Sequence, residues 1–150
     1  MAISTGSGAA SSMLQMASAD EIKHDHQAYS ILHWGFVALP VIAGVDKFTM
    51  FLTDWTMYLA PQFAQVLGPV TTMRLVGVIE IVAGLGIAFK PRWFAPVVAC
   101  WLWAIIINLL ALGSHYDVAL RDFGLSLGAV GLFRLSQHFD HRASGGDSLQ

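Results

Sequence analysis

A carboxylate in the middle of an apolar stretch is the first residue of this chain that suggests chemistry. Glu80 lies between residues 74 and 92, in a segment that is long and apolar enough to cross a lipid bilayer. Facing a charged group into lipid is energetically costly, so we expect Glu80 to point toward other helices or a wet cavity. An ionisable group in such a position is a candidate for ligand binding or proton transfer.

Seven further polar residues are expected near Glu80 when the apolar segments are aligned by depth. An α-helix rises about 1.5 Å per residue, so the position of a residue within its segment gives its depth in the membrane. By this measure the polar groups gather in the outer half of a helix bundle, and Glu80 is the deepest of them. The predicted intramembrane cluster consists of Asp46, Lys47, Arg74, Glu80, Asn108, Asp117, Arg121 and Asp122.

The acids and bases of this cluster nearly balance, as a desolvated network requires, because an unpaired buried charge is costly. Asp117 precedes Arg121 by four residues, which is the favourable order for an ion pair on a helix. Glycines flank Glu80 and follow Arg121 at helical spacing, and small residues mark faces on which helices approach closely. Glu80 has no evident partner at its depth, so it is either protonated or reached by a basic side chain.

Two interpretations of the cluster remain open at this point. It can be a structural clasp that fixes the register of the helices and does nothing more. Alternatively, it can form an outward-opening polar pocket that binds a polar head group, such as a quinone ring, or passes protons.

The composition places the elements that carry these residues in a membrane. The chain has 150 residues, of which 55% are hydrophobic and 12% are charged, whereas soluble domains carry about 25% charged residues. The net charge of -2 gives no basic surface for nucleic acid. The single cysteine, Cys100, excludes an internal disulfide framework and a multi-cysteine metal site.

Four apolar segments are predicted to span the bilayer as helices, which need about 20 residues each. They cover residues 27–45, 69–89, 93–113 and 118–136. Between the first two, residues 48–67 show apolar residues at helical spacing only up to Pro61, which is too short to span. We therefore predict an all-α integral membrane protein, a bundle of four transmembrane helices with one interfacial or re-entrant helix after the first span.

The boundaries and the orientation follow from composition and charge. Residues 1–26, rich in Ser, Gly and Ala, are predicted to be a disordered or partner-bound tail, residues 27–136 the membrane domain, and residues 137–150 a polar tail. With four spans, the side shared by both termini carries five Lys and Arg residues against three on the other side. This favours a multi-pass protein of the inner (cytoplasmic) membrane with both termini in the cytoplasm.

The histidines and tryptophans give weaker signals. A haem held by two histidines needs them at matched depth, and only His33 lies well inside a span, so haem is not favoured. His24, His26, His138 and His141 are predicted on the same side of the membrane, but solvated histidines there are commoner than a metal site. Trp93, Trp101 and Trp103 are interpreted as interface anchors or lipid-facing residues. No phosphate loop, nucleophile triad or cysteine cluster is present, so no catalytic residue and no metal site are predicted.

Three short motifs resemble the DoxX-like family of small four-helix membrane proteins. They read Ala43-Gly-Val-Asp-Lys-Phe48, Gly77-Val-Ile-Glu-Ile-Val-Ala-Gly84 followed by Lys90-Pro-Arg92, and Tyr116-Asp-Val-Ala-Leu-Arg-Asp122. The glycine-flanked glutamate is the most specific of them, and the resemblance covers about residues 28–136. It implies membership of a membrane redox complex or proximity to a quinone, and it establishes no catalytic residue.

These observations support three hypotheses of function. The leading one is an accessory, non-catalytic transmembrane subunit of a membrane electron-transfer complex, in contact with lipid and with other membrane subunits. The second is a quinone-interacting oxidoreductase subunit that uses Glu80, Arg74, Arg121 and Asp122. The third is a small-solute carrier, which the lack of an internal repeat disfavours.

Overall fold

The computed structural model describes residues 5–145, with side chains described for residues 15–17, 20 and 22–138. This part of the chain forms helices and turns and contains no strand. In chain order the elements are α1 (Thr5–Thr49), a 3-10 turn (Trp55–Tyr58), α2 (Pro61–Leu67), α3 (Pro69–Phe89), α4 (Pro91–Leu112) and α5 (Tyr116–Gly145). The predicted all-α class is confirmed.

Among the residues that the structure describes, three helices are long and apolar enough to cross a membrane: α1 over Gln15–Thr49, α3 and α4. The predicted fourth span, now α5, is not one of them, because Arg121, Asp122 and Arg134 interrupt its apolar sequence. These apolar helices of spanning length support a membrane-spanning protein, and the count of four spans stays a prediction.

Proline and glycine set the ends of α3 and α4 close to the predicted positions. Pro69 and Pro91 each occupy the first turn of a helix, where a missing N–H costs nothing. Gly113 ends α4 in the left-handed region, with φ of +74°, and its N–H caps the carbonyls of residues 109 and 110. These local signals set the observed ends, and the predicted bounds 69–89 and 93–113 lie within two residues of them.

The N-terminal segment is helical, unlike the disordered tail that was one of its two predicted states, and the partner-bound alternative stays a prediction. Residues 5–26 are helical and continue into the first span, so that α1 is one helix of 45 residues. Alanine, methionine, leucine and glutamine are strong helix formers, and they outweigh the serines and glycines in this segment. Residues 137–145 of the predicted polar tail continue α5, and residues 1–4 and 146–150 lie outside the described part of the chain.

The single interfacial helix predicted over residues 48–67 is wrong in its details. α1 runs to Thr49, Met50 adopts a positive φ of 54°, and the chain then forms the 3-10 turn and the short α2. The carboxylate of Asp46 accepts hydrogen bonds from the backbone N–H groups of residues 51 and 52, so these groups are not available for a helix. Pro61, which was expected to end the helix, instead begins α2.

The long helices pack as two pairs, α1 along α3 and α4 along α5, with fewer contacts between the pairs. A core cluster that includes Phe36, Ile87, Val98 and Leu132 joins all four helices in the half of the bundle next to the α3–α4 turn. The other half, next to residues 50–60, has only a small apolar cluster between α4 and α5. Space between the pairs is therefore left in the half that holds the polar residues.

Candidate functional site

Two glycines set the distance between α1 and α3. A Cβ atom added to Gly44 would lie 2.6 Å from the carbonyl oxygen of Gly77, and one added to Gly77 would lie 2.6 Å from that of Gly44. Real Cβ atoms do not approach backbone so closely, so only glycine permits this spacing. Lys47 and Glu80 each follow one of these glycines by three residues and therefore face each other across the same seam.

Lys47 is the basic side chain that reaches Glu80. Its Nζ atom donates a hydrogen bond of 2.6 Å to Glu80 Oε2, and the two side chains are only 4% and 11% exposed. The ammonium group also lies 3.7 Å from the centroid of the Trp55 ring, a cation–π contact. Of the two states that the sequence left open for Glu80, the structure has the ion pair.

Asp122 brings a second carboxylate to the same region from α5. It is buried and accepts a hydrogen bond of 3.2 Å from Nε of Arg121, whose side chain is 62% exposed. Asp122 also lies close enough to Lys47 and Glu80 to interact with their charges. Three long helices therefore contribute to one polar group at the junction of the two helix pairs.

Arg74 and Asp117 do not join this polar group, which corrects the predicted cluster. Both are exposed, and neither forms a hydrogen bond or an ion pair with any residue that the structure describes. Arg121 pairs with Asp122 instead of with Asp117. Arg74 precedes Glu80 by six residues, which turns it roughly 120° around the helix axis. The prediction considered helix faces for Glu80 and Arg121 and placed Arg74 by its depth alone.

Asp46 has a structural role in the chain that leaves α1. Its carboxylate accepts hydrogen bonds of 2.7 to 3.1 Å from the Thr49 hydroxyl, the backbone N–H groups of residues 51 and 52, and Trp55 Nε1. These bonds fold the chain back onto the helix end. They also fix the indole of Trp55 against the Lys47 ammonium group.

Asn108 fastens the other end of the same connection to α4. Its Oδ1 accepts a 3.0 Å hydrogen bond from the N–H of Ala60, and its Nδ2 donates a 2.6 Å bond to the carbonyl of Tyr58. The amide group is thereby committed to the backbone. Residues 50–60 are held at both α1 and α4 and close one side of the bundle.

We expect Asp46→Ala to lower the free energy of unfolding by about 2 kcal/mol or more, because several N–H donors lose their acceptor together. Asp54→Ala is the matched control: Asp54 is exposed, and among the described residues its carboxylate accepts only from the N–H and hydroxyl of Thr56, bonds that lower the pKa of its carboxyl. Chemical unfolding in detergent, with amide hydrogen exchange over residues 50–55, measures both. Equal losses in the two variants would contradict the structural role of Asp46.

A pocket of about 530 Å³ lies between the two helix pairs. Its walls are mostly apolar, formed by side chains such as Phe36, Leu39, Met73 and Val76. Pockets of roughly 300–1,000 Å³ with apolar walls and a few polar groups are typical small-molecule sites. Five of the eight residues of the predicted cluster line it, namely Lys47, Glu80, Asn108, Arg121 and Asp122.

Two tryptophans in this pocket were missed by the sequence analysis. Trp55 supplies the ring that the Lys47 ammonium group contacts. Trp101 lines the pocket, whereas the sequence interpreted it as an interface anchor or lipid-facing residue. Trp101 Nε1 is buried near the Glu80 carboxylate without reaching hydrogen-bond geometry to any acceptor that the structure describes. Trp101, Ile105 and Asn108 share one face of α4, at positions i, i+4 and i+7. Asn108 was already predicted in the polar cluster, so helical spacing from Asn108 could have placed Trp101 at the pocket.

No cluster of metal-ligating side chains accompanies the pocket in the part of the chain with described side chains. His33 stacks on Tyr29 with ring centroids 5.5 Å apart and meets Trp34 edge-on at 5.4 Å. The side chain of His141, one of the four histidines weighed for a metal, lies outside the described residues.

Comparison of the chain with protein-family models, with curated proteins and with solved structures finds no match. The resemblance to the DoxX-like family therefore remains an expectation. The pocket and the charged residues that line it are the features of the molecule that indicate a function.

Proposed function

We propose that this chain is a four-span protein of the cytoplasmic membrane that binds a quinone or quinol between its helix pairs and serves as an accessory subunit of a membrane electron-transfer complex. The observation that carries the proposal is the 530 Å³ pocket, apolar on most of its wall and polar where Lys47 meets Glu80. A quinone matches this pocket because its ring oxygens are polar and the rest of the molecule is apolar.

The charges around the pocket favour a neutral head group over an ionic one. Lys47 is buried and committed to Glu80, and Arg121 gives its Nε–H to Asp122, so each cation already has an acid beside it. An ionic lipid head that bound Lys47 would have to break the buried Lys47–Glu80 pair, which is costly. A head group that carries only carbonyl or hydroxyl oxygens fits without that loss.

The fourth span is supported by how α5 packs. It lies along α4, its 30 residues give a length of about 45 Å, and Asp122 is turned inward. The exposed Arg121 lies near the helix end, from which a long side chain can reach the membrane surface. Four spans place both termini on one side, and the Lys and Arg count favours the cytoplasm.

The assignment to an electron-transfer complex comes from the resemblance to the DoxX-like family. It is independent of the pocket and needs its own observation. Co-purification of redox subunits would supply that observation.

One purification tests both parts of the proposal. The protein is isolated at native level in mild detergent, and mass spectrometry identifies its partner subunits and the quinone extracted from it. Val76→Trp fills the pocket, whereas Val78→Trp adds the same bulk to an exposed position on the same helix. We expect bound quinone in the wild type and in Val78→Trp, and at least a tenfold loss in Val76→Trp.

Each part has its own contradicting result. A wild-type preparation without quinone, or equal quinone in the two valine variants, would contradict binding in this pocket. A lone protein that carries quinone but no redox subunit would contradict the accessory role.

A further inference from the structure

The contact between α1 and α5 ends partway along the two helices. Gly124, Gly128 and Gly131 lie on one face of α5, at positions i, i+4 and i+7. A Cβ atom added to Gly128 would lie 3.3 Å from the ring of Phe36 on α1. One added to Gly131 would lie 3.9 Å from the Leu32 side chain on α1, whereas one added to Gly124 would meet nothing within 4 Å. Helix α1 therefore covers this face of α5 at Gly128 and Gly131 and leaves it open one turn nearer to the N-terminal end of α5.

The pocket reaches the outside of the bundle at this uncovered level. Leu39 of α1 and Arg121 of α5 both line the pocket, yet Leu39 is 56% exposed and the Arg121 side chain is 62% exposed. Side chains that line a closed cavity are buried, so these two mark an opening between the helices. Pro40 gives a local reason for the gap, because it lacks the N–H that would bond to the Phe36 carbonyl and prolines are a common cause of helix bending.

Arg121 supplies hydrogen-bond donors at this opening. Its Nε–H is bonded to Asp122, and its Nη groups make no hydrogen bond to a residue that the structure describes. A guanidinium group only donates, so the Nη groups remain for oxygens that arrive with a ligand. Because Asp122 already balances the charge of Arg121, carbonyl oxygens of a neutral head group suit this position.

The surroundings of the opening are apolar. Ile42 on α1 and Phe123 and Leu127 on α5 are exposed, as faces that contact acyl chains are expected to be. A pocket of 530 Å³ holds a drug-sized head group, and a tail of many isoprene units does not fit inside it as well. A tail that leaves through the opening stays among the acyl chains and avoids contact with water, which is unfavourable for apolar surface.

We propose that the pocket takes up a long-tailed quinone directly from the bilayer and that the tail leaves between α1 and α5, beside Leu39 and Gly124. This inference rests on the proposed function, the binding of a quinone by a four-span membrane protein, and specifies the class of quinone and its route. The head group lies in the pocket with a carbonyl oxygen near the Arg121 Nη groups.

The first test maps the path of the tail. The full chain in nanodiscs is illuminated with a benzoquinone that carries a diazirine in the middle of a decyl chain, and mass spectrometry identifies the labelled residues. An excess of unlabelled decyl quinone distinguishes specific labels from random ones. We expect competed labels on α1 near Leu39 and on α5 near Gly124. Competed labels confined to residues 50–67, or to α3 and α4, would overturn the proposed route and leave quinone binding intact.

The second test closes the opening. Gly124→Trp places a large side chain in the proposed path of the tail. Gly35→Trp is the matched control, because a Cβ atom on Gly35 of α1 also meets nothing within 4 Å and Gly35 is not part of the pocket lining. We expect Gly124→Trp to lower the affinity for the decyl quinone at least tenfold and to change the affinity for the same quinone without a side chain less than threefold. Gly35→Trp should change neither affinity.

The outcomes separate this inference from the function on which it rests. An unchanged affinity for the decyl quinone in Gly124→Trp, or an equal loss for the two probes, would overturn the exit of the tail between α1 and α5. An equal loss in Gly35→Trp and Gly124→Trp would overturn it as well. Failure of both probes to bind to the wild type would overturn both proposals.

Discussion

Gly77→Ala is expected to force α1 away from α3 and to lower the free energy of unfolding by about 2 kcal/mol or more, as overpacking of a tight contact does. The added methyl group would lie 2.6 Å from the carbonyl oxygen of Gly44 and 3.1 Å from Cβ of Lys47. Backbone cannot yield as a flexible side chain can, so the helices must separate. Thermal and chemical unfolding in detergent measure the loss.

The same displacement should weaken the site. Because Lys47 lies three residues beyond Gly44, a wider seam moves its ammonium group away from Glu80. We therefore expect Gly77→Ala to lower the affinity for a pocket ligand together with the stability.

Gly124→Ala is the matched control for this substitution. The sequence placed Gly124 on a protein-facing glycine stripe of α5, yet it is exposed and a Cβ atom there meets nothing within 4 Å. Alanine is the better helix former by about 1 kcal/mol, so this variant should be unchanged or slightly more stable. If the two alanine variants lose stability equally, the seam between α1 and α3 does not depend on glycine.

The second large effect is expected from Lys47→Met. It leaves the buried Glu80 carboxylate without its cation, and breaking one side of a buried ion pair costs about 3–5 kcal/mol. Replacing both residues, in Lys47→Met with Glu80→Leu, should restore much of the stability, because apolar residues of similar volume often substitute for a buried pair without loss. Unfolding of the two single variants and the double variant gives the coupling energy directly.

Arg74→Met is the control for the loss of a basic residue near the same depth. Arg74 is exposed and has no ion pair among the described residues, so its stability change should stay within about 0.5 kcal/mol. A Lys47→Met variant no less stable than Arg74→Met would show that the ion pair contributes nothing. A double variant as unstable as Lys47→Met alone would show that the loss comes from packing.

The sequence predicted the helices better than the connection between them. Apolar length, the prolines that open α3 and α4, and Gly113 are local signals, and the structure follows them. The turn after α1 depends on Asp46, whose hydrogen bonds reach as far as Trp55, nine residues ahead. The spacing of apolar residues does not reveal that the Asp46 carboxylate will bind backbone N–H groups that could otherwise form a helix.

The residues of the site were likewise predicted where the signal was local and missed where it depended on a distant residue. Five of the eight predicted residues line the pocket, because depth and helix face both follow from position within a span. The partner of Glu80 was missed, since Lys47 lies 33 residues earlier on another helix. A signal was nevertheless present: both residues stand three positions after a glycine, and Gly44 and Gly77 are the positions at which the two helices touch.

The buried ion pair also constrains the order in which the chain enters the membrane during its synthesis. Lys47 lies in the last turn of α1, where a long side chain can stay at the membrane surface while its helix is alone. Glu80 lies in the middle of α3 and has no such escape, so α3 is costly to insert before a cation is within reach. We therefore expect the inserted α1 to act as a template for α3. The separation of 33 positions between Lys47 and Glu80 then sets how much chain must be made before the first helix meets its partner.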